Sequence, residues 1–244
     1  MESKLNIHDY KDAPLFKSII ELNQAMIDAD KDPITLNVVG GFALMIHDIR
    51  NKNEFTDIDF VGNRLPDDIE KISDQIGVKN GLEKRWINND IMLSGSNFDD
   101  FVLSTGELHF AQAFDLEKIK VNVLDTQDLL RLKVIAIDTA LSAVDFGGDF
   151  TRMKDFRDVI NISKKLGVDI DSLGERFKDN IVNINTVPAI QTYIELGPSG
   201  IKEMVDRMQY EFQKMKFESK GEYKRTSFID DVINKAIQRA NEER

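Results

Sequence analysis

Two aspartates separated by one residue are the part of the sequence best suited to chemistry. Asp57 and Asp59 belong to the segment DIDFV (57–61), which favours a largely buried strand. Side chains at positions i and i+2 of a strand point the same way, so both carboxylates project from one face. Like charges held close together repel each other, and burial increases that cost. The pair therefore predicts a cation at this face, and carboxylate oxygens suit Mg²⁺.

A pair of glycines precedes the aspartates and suggests what else is bound. Gly40 and Gly41 end the β-rich segment ITLNVV, and the segment FALMIHDIR (42–50) is predicted to be a helix. Glycine lets the backbone come close to a ligand, and the free N–H groups of a helix can bind a phosphate. Alone, Gly-Gly usually marks a turn and Asp-x-Asp a strand edge, but together they predict a metal and nucleotide site.

The same aspartates also fit part of a calcium-binding loop. DIDFVGNRLPDD (57–68) has Asp at loop positions 1, 3 and 12 and Gly at position 6. However, Val61 at position 5 cannot ligate through its side chain, Arg64 replaces an apolar residue, and Asp68 replaces Glu. Because DIDFV also favours strand over loop, the calcium loop is the weaker interpretation.

Strands and helices are predicted to alternate in the first half of the chain, and helices to follow. Apolar periodicity and turn residues predict helices over 14–29, 42–50, 66–77, from Asp125 (as N-cap) to about 144, and 151–166, with strands over 34–39, 57–61 and within 101–124. The remainder is predicted to be mainly helical, broken at LGPSG (196–200), with a last helix from about 227. We therefore expect an α+β fold with an α/β core over 1–125 and a mainly helical region over 126–244.

Composition narrows the class of protein. The formal net charge of −11 argues against general binding to DNA or RNA backbones, although a local basic pocket is compatible with it. Cysteine is absent, which excludes disulfides and thiolate metal sites. We find neither a signal-peptide pattern near the first residue nor an apolar run long enough to cross a membrane. These features predict a cytoplasmic protein.

Four motifs in order resemble the nucleotidyltransferase superfamily. They are GGFAL (40–44), TDID (56–59), DLLRLKVIA (128–136) and RMKDFRD (152–158). The closer resemblance is to its AbiEii-like branch, which contains abortive-infection toxins and related bacterial proteins. The resemblance implies a mixed sheet flanked by helices and Mg²⁺-dependent transfer of NMP from an NTP, with loss of pyrophosphate. It also implies an acceptor, which could be a protein, an RNA or a small molecule, and a cognate antitoxin as partner.

The resemblance assigns roles to residues of this chain. Asp57 and Asp59 would bind the metal and act in catalysis. The nucleotide would be held by residues from all four motifs, with Lys133 facing the triphosphate: Gly40, Gly41, Thr56, Lys133, Lys154 and Asp155.

Three of these residues have a plainer interpretation. Lys133 lies on an apolar helical stripe, so it could extend its amine from the core edge without binding a phosphate. Lys154 and Asp158 are spaced i, i+4 and could form a surface ion pair, and Asp155 could pair with Arg152.

Active nucleotidyltransferases usually carry a third carboxylate on a later strand, and the sequence does not place one. Asn122 stands at an attractive position in KIKVNVL, but an amide cannot act as a base. Other candidates lie in segments without a clear strand register, namely Asp90, Asp99, Asp100 and Glu107. The alternative is therefore a catalytically degenerate module that binds a nucleotide or a protein partner.

Overall fold

Five strands form one mixed sheet in the computed structural model, which describes residues 13–51, 56–90, 106–145, 148–150 and 152–218. In chain order the strands are β1 (Ile34–Val38), β2 (Ile58–Val61), β3 (Ile87–Asn88), β4 (Phe110–Asp115) and β5 (Ile119–Leu124). Their order across the sheet is β3-β2-β1-β5-β4. With the helices described next, this confirms the α+β class predicted from the sequence.

Because of their directions, all five strands begin or end at the same edge of the sheet, as described next. β1 runs parallel to β5 and antiparallel to β2, β2 runs parallel to β3, and β4 runs antiparallel to β5. The C-terminal ends of β1 and β5 therefore lie at the same edge as the N-terminal ends of β2, β3 and β4. The segments just after Val38 and just before Ile58 meet at this edge, which is where the two glycines and the two aspartates are found.

Seven α-helices accompany the sheet in the described part of the chain. They are α1 (Pro14–Asp28), α2 (Gly40–Ile46), α3 (Asp67–Lys79), α4 (Thr126–Asp145), α5 (Met153–Leu166), α6 (Leu173–Arg176) and α7 (Thr186–Glu218). α1 begins with proline at its first turn and buries Leu15, Ile19, Leu22 and Met26 on one face, as their spacing predicts. α3 starts with Asp67, Asp68 and Glu70, whose charges favour a helix N-terminus.

The helix after the first strand differs from its prediction. It was expected over 42–50, but α2 begins at Gly40 and ends at Ile46. Asp48 takes a left-handed backbone conformation with φ of 52°, which turns the chain out of the helix. Residues 47–51 therefore form a short connecting segment, here called the post-α2 segment.

The start of α4 agrees with its prediction because Asp125 caps it. The Asp125 carboxylate accepts hydrogen bonds from the backbone N–H groups of Gln127 (2.6 Å) and Asp128 (3.3 Å). These are two of the orphan donors that every helix leaves at its N-terminus. The predicted break at 196–200 is also confirmed, since Gly197 adopts φ of 66° and ψ of −160° inside α7, directly before Pro198.

One hydrophobic core extends across both parts of the chain. It joins strand residues such as Leu36, Val38 and Val121 to helix residues such as Val134 and Phe156, all less than 2 % exposed. The core thus continues past residue 125, and the division into two domains there stays a prediction. In the described part of the chain, no helix combines the length and apolar character needed to cross a membrane. The last helix predicted from about 227 lies outside the described residues.

Candidate metal and nucleotide site

The two aspartates lie where β2 begins, at the sheet edge described above. Asp57 immediately precedes β2 and is exposed, whereas Asp59 is the second residue of the strand and is partly buried. Ile58 and Phe60, which point the other way, are buried in the core. The predicted alternation is therefore present, and it puts both carboxylates on one side of the sheet. Thr56 precedes them and is exposed.

The surroundings of Asp59 raise the pKa of its carboxyl group. Burial is the main cause of a raised pKa at Asp59, and the negative charge of Asp57 raises it further. The charges of Lys133 and Lys154 and a hydrogen bond from the Asn88 side chain oppose this rise in pKa. Lys133 and Lys154 therefore both lie within electrostatic reach of Asp59.

Gly40 is required by the carboxylate next to it. Its φ is +65°, and a Cβ added there would lie 2.6 Å from Asp59 Oδ2. An L side chain would be strained by the backbone angle and would also collide with the carboxylate. Gly41 follows as the second residue of α2 and is partly buried. The glycine at position 40 thus leaves room for the Asp59 carboxylate. The phosphate contact expected from the sequence stays a separate prediction.

Lys133 is held by two buried carboxylates and does not extend freely to solvent. Its Nζ lies 2.5 Å from Asp155 Oδ1 and 3.0 Å from Asp158 Oδ2, and its side chain is only 14 % exposed. Both carboxylates have 0 % exposed side chains and come from α5. The plainer interpretation, in which Lys133 extends its amine from the core edge to solvent, is therefore wrong.

The fourth motif also differs from its plainer interpretation. Asp158 does not form a surface pair with Lys154 but binds Lys133 and Arg50 inside the protein, with 2.5 Å between Arg50 Nη2 and Asp158 Oδ1. Asp155 does lie near Arg152, at 3.8 Å, yet its carboxylate is fully buried. Lys154 is exposed and acts on Asp59 through its charge.

The sheet face beside Asp59 carries amides in the described residues. Asn37 of β1 is in register with Val61 and with Asn122 of β5, so both asparagines share the face of Asp59. Asn122 Nδ2 donates a hydrogen bond of 2.9 Å to Asn37 Oδ1. The position that seemed attractive for a third carboxylate is thus occupied by a bonded amide pair.

Two of the other candidates for a third carboxylate are exposed in the described chain. Asp90 is exposed and pairs with Arg85, and Glu107 is exposed on the segment before β4. Asp99 and Asp100 lie outside the described residues. The calcium-loop alternative is not supported either, because residues 58–61 form a strand and Asp68 pairs with Lys31 at 2.6 Å.

Sequence reasoning missed three residues around the site. Arg50 lies in what was predicted to be helix, Asn88 in a segment for which no element was predicted, and Asn37 in an ordinary strand. None of the three belongs to a recognisable motif, and only the strand register could have paired Asn37 with Asn122.

The donor set fits a divalent cation of the Mg²⁺ type. Asp57 and Asp59 supply two carboxylates on one side of the sheet, and a cation would offset both the burial and the Asp57 charge that raise the pKa of Asp59. Among the described residues no group of three or more His, Cys, Asp or Glu side chains could hold a metal. Mg²⁺ commonly takes one or two carboxylates and completes its shell with water and substrate phosphates.

Comparison with known proteins gives no family assignment. No family model matches the chain, and no curated protein or solved structure is significantly similar to it.

Proposed function

We propose that this protein is a Mg²⁺-dependent nucleotidyltransferase that moves NMP from an NTP to an acceptor. The observation that carries the proposal is the meeting of Asp57 and Asp59 with Gly40 and with the charges of Lys133 and Lys154. Two carboxylates can bind a metal ion, and two cations beside them can offset the charge of phosphates. Together they suit a metal-bound triphosphate better than a metal ion or a triphosphate alone.

The residues of the chain would divide the work as follows. Asp57 and Asp59 would hold Mg²⁺, which when bound neutralises phosphate charge and orients the triphosphate. Lys154, which is exposed, would contact the phosphates directly, and Lys133 would add positive potential from behind Asp59. Gly40, Gly41 and Thr56 would line the approach to the carboxylates. Asp155 would act through Lys133, to which it is bonded.

The proposal extends to the setting of the reaction. The mixed sheet flanked by helices is compatible with a nucleotidyltransferase-like fold. The protein would act in the cytoplasm, where NTPs are present. The acceptor would be a protein, an RNA or a small molecule. The resemblance to abortive-infection toxins favours a macromolecular acceptor and a cognate antitoxin as partner.

One observation favours a second candidate function. The face beside Asp59 carries the bonded amides of Asn37 and Asn122, and amides cannot remove a proton from an acceptor hydroxyl. The alternative is a degenerate module that binds a nucleotide or a protein partner without turnover.

Calorimetric titration of ATP, GTP, CTP and UTP, each with Mg²⁺, tests the metal and nucleotide site. We expect saturable, Mg²⁺-dependent binding by the wild type and its loss in Asp57→Ala/Asp59→Ala. The control is Asp179→Ala/Asp206→Ala, which removes the same charge from two exposed positions and should bind like the wild type.

The result also selects between the two candidates. Binding that is followed by pyrophosphate release from the same NTP in cell extract would support the transferase. Binding without release would support the degenerate module. If none of the four NTPs binds to the wild type, the nucleotide site itself is refuted.

A further inference from the structure

Four largely buried charged side chains form a group within electrostatic reach of Asp59, here called the ion-pair cluster, and the half-exposed Arg152 lies beside it, 3.8 Å from Asp155. The ion-pair cluster consists of Arg50, Lys133, Asp155 and Asp158. Lys133 Nζ reaches both carboxylates, at 2.5 Å and 3.0 Å. Arg50 binds Asp158 Oδ1 through Nε (2.6 Å) and Nη2 (2.5 Å). Asp158 is thus shared between a lysine and an arginine.

The ion-pair cluster is balanced and almost fully removed from solvent. It contains two cations and two carboxylates, and the Arg50 side chain is only 9 % exposed. Buried ions keep their charge only while their partners stay in place, because removing one leaves an uncompensated charge in a poorly solvating interior. The position of each member therefore depends on the other three.

Arg50 reaches this cluster from a different part of the chain. It belongs to the post-α2 segment, and α2 begins with Gly40, which lies against Asp59. The same segment is held a second time, because Lys165 of α5 donates a hydrogen bond to the carbonyl oxygen of His47. Arg50 therefore ties the glycine that adjoins Asp59 to the helix that carries Lys154 and both buried carboxylates.

We propose that Arg50 is a positioning residue for the nucleotide site. Arg50 neutralises the charge of Asp158. Lys133 can therefore lie between Asp155 and Asp158, and from there its charge also acts on Asp59. Without Arg50, Lys133 would be the single buried cation beside two buried carboxylates, because Arg152, the other cation near Asp155, has a side chain that is 52 % exposed. The Lys133 ammonium would then be drawn towards Asp158, and α5 would shift relative to Gly40. The inference rests on the proposed function, since the effect is read at the nucleotide site.

Variants that change the number of buried charges test this role, because a general loss of stability would give a different pattern of results. Among the buried charges, Arg50→Met leaves one cation with two carboxylates, and Asp158→Asn leaves two cations with one carboxylate. The double variant leaves one of each and restores the balance. We expect each single variant to weaken Mg²⁺–NTP binding about tenfold, as is typical of residues that orient a metal site, and the double variant to bind more tightly than either. Arg50→Lys should recover part of the loss.

The measurement is the calorimetric Kd for the NTP that the wild type binds, at a temperature where circular dichroism shows every variant folded. Arg64→Met is the matched control, because it also breaks an arginine–carboxylate pair, with Glu70, but at an exposed position. It should leave Kd unchanged. Wild-type affinity in Arg50→Met, or losses that add up in the double variant, would overturn the positioning role while leaving the proposed function standing. Absence of binding by the wild type would overturn both.

Discussion

At the scale of single residues, Gly40 and Asp59 must be considered together. Gly40→Ala would introduce a Cβ 2.6 Å from Asp59 Oδ2 at a φ of +65°. The backbone strain alone costs about 1–2 kcal/mol, and the collision adds about 1–3 kcal/mol, so we expect a loss of about 2–5 kcal/mol in the free energy of unfolding. Urea denaturation followed by circular dichroism measures it.

Another glycine separates the two contributions to this cost. Gly81 also has a positive φ, of +82°, but an added Cβ there would meet nothing within 4 Å. Gly81→Ala should therefore show only the backbone strain. In an Asp59→Ala background, Gly40→Ala should lose its extra cost and approach Gly81→Ala. Equal costs for the two glycines in the wild-type background would show that contact with Asp59 does not matter.

Asp59 should reduce stability at neutral pH when no cation is present. Burial and the Asp57 charge raise its folded-state pKa above the ordinary value of 3.8, so the folded protein holds this proton more tightly than the unfolded chain. This contribution to stability is complete below pH 3.8 and is lost as pH rises through the folded-state pKa. Asp59→Asn should therefore be more stable at pH 7, by about 0.5–2 kcal/mol as is usual for relieving a functional site.

Urea unfolding between pH 3.5 and pH 8, with and without Mg²⁺, checks this expectation. Mg²⁺ should raise the stability of the wild type, because a ligand that binds only the folded state favours it, and should not raise that of Asp59→Asn. Asp179→Asn, at an exposed position, serves as the control. A wild type that is more stable than Asp59→Asn at pH 7 without Mg²⁺ would contradict the argument.

At the scale of secondary structure, Asp128 joins the start of β4 to the first turn of α4. Its Oδ2 accepts hydrogen bonds from the backbone N–H of His109 (2.7 Å) and lies 2.9 Å from His109 Nδ1, while Oδ1 pairs with Arg131 at 3.0 Å. β4 stands three strands away from β2, about 14 Å at the usual strand spacing. At that distance His109 is too far from Asp59 to serve as a base there, so we interpret this contact as structural.

The contact between His109 and Asp128 should make stability depend on pH. The hydrogen bond and the charge of Asp128 raise the pKa of His109 above 6.5, and the charges of Glu107 and Asp125 add to this. The stabilisation is complete below pH 6.5 and is lost as pH rises through the folded-state pKa. The difference in unfolding free energy between wild type and His109→Gln should therefore shrink over that interval.

An NMR titration of the His109 imidazole measures the shift directly. We expect a midpoint above 6.5 in the wild type and a return towards 6.5 in Asp128→Asn. A midpoint that Asp128→Asn leaves unchanged would show that the carboxylate is not its cause.

At the scale of the whole molecule, the sequence predicted the elements better than the contacts between them. Apolar spacing and capping residues predicted α1 and the start of α4, because these signals act within one or two helical turns. The i, i+2 rule likewise predicted that Asp57 and Asp59 share a face. These features depend on local geometry alone.

Sequence patterns within one element did not predict the contacts between distant segments. The pairing of Arg50 with Asp158 joins residues 108 positions apart, and the register of Asn37 with Asn122 joins residues 85 apart. Asp158 has the spacing of a surface ion pair with Lys154, and only the packing of α5 reveals that it is buried. Local signals thus predicted that the two aspartates share a face, but not the buried charges near them.

The continuous core predicts that both parts of the chain unfold together. Phe156 of α5 is fully buried and stacks on Tyr193 of α7, with ring centroids 5.1 Å apart and planes at 8°. Phe156→Ala should lower the free energy of unfolding by about 3–5 kcal/mol, through lost burial and a residual cavity. Tyr210→Ala is the control, because that side chain is 64 % exposed and its loss should change stability by less than about 0.5 kcal/mol.

Two probes report on different parts of the molecule during the same urea titration. Fluorescence of Trp86, the single tryptophan, follows the sheet and α3, whereas far-ultraviolet circular dichroism is dominated by helices such as α4, α5 and α7. If the core is one cooperative unit, Phe156→Ala should move both midpoints equally, although residue 156 lies far beyond the predicted boundary at 125. A fluorescence midpoint that stays at the wild-type value would mean that residues 1–125 fold independently, and the boundary would then be a true domain border.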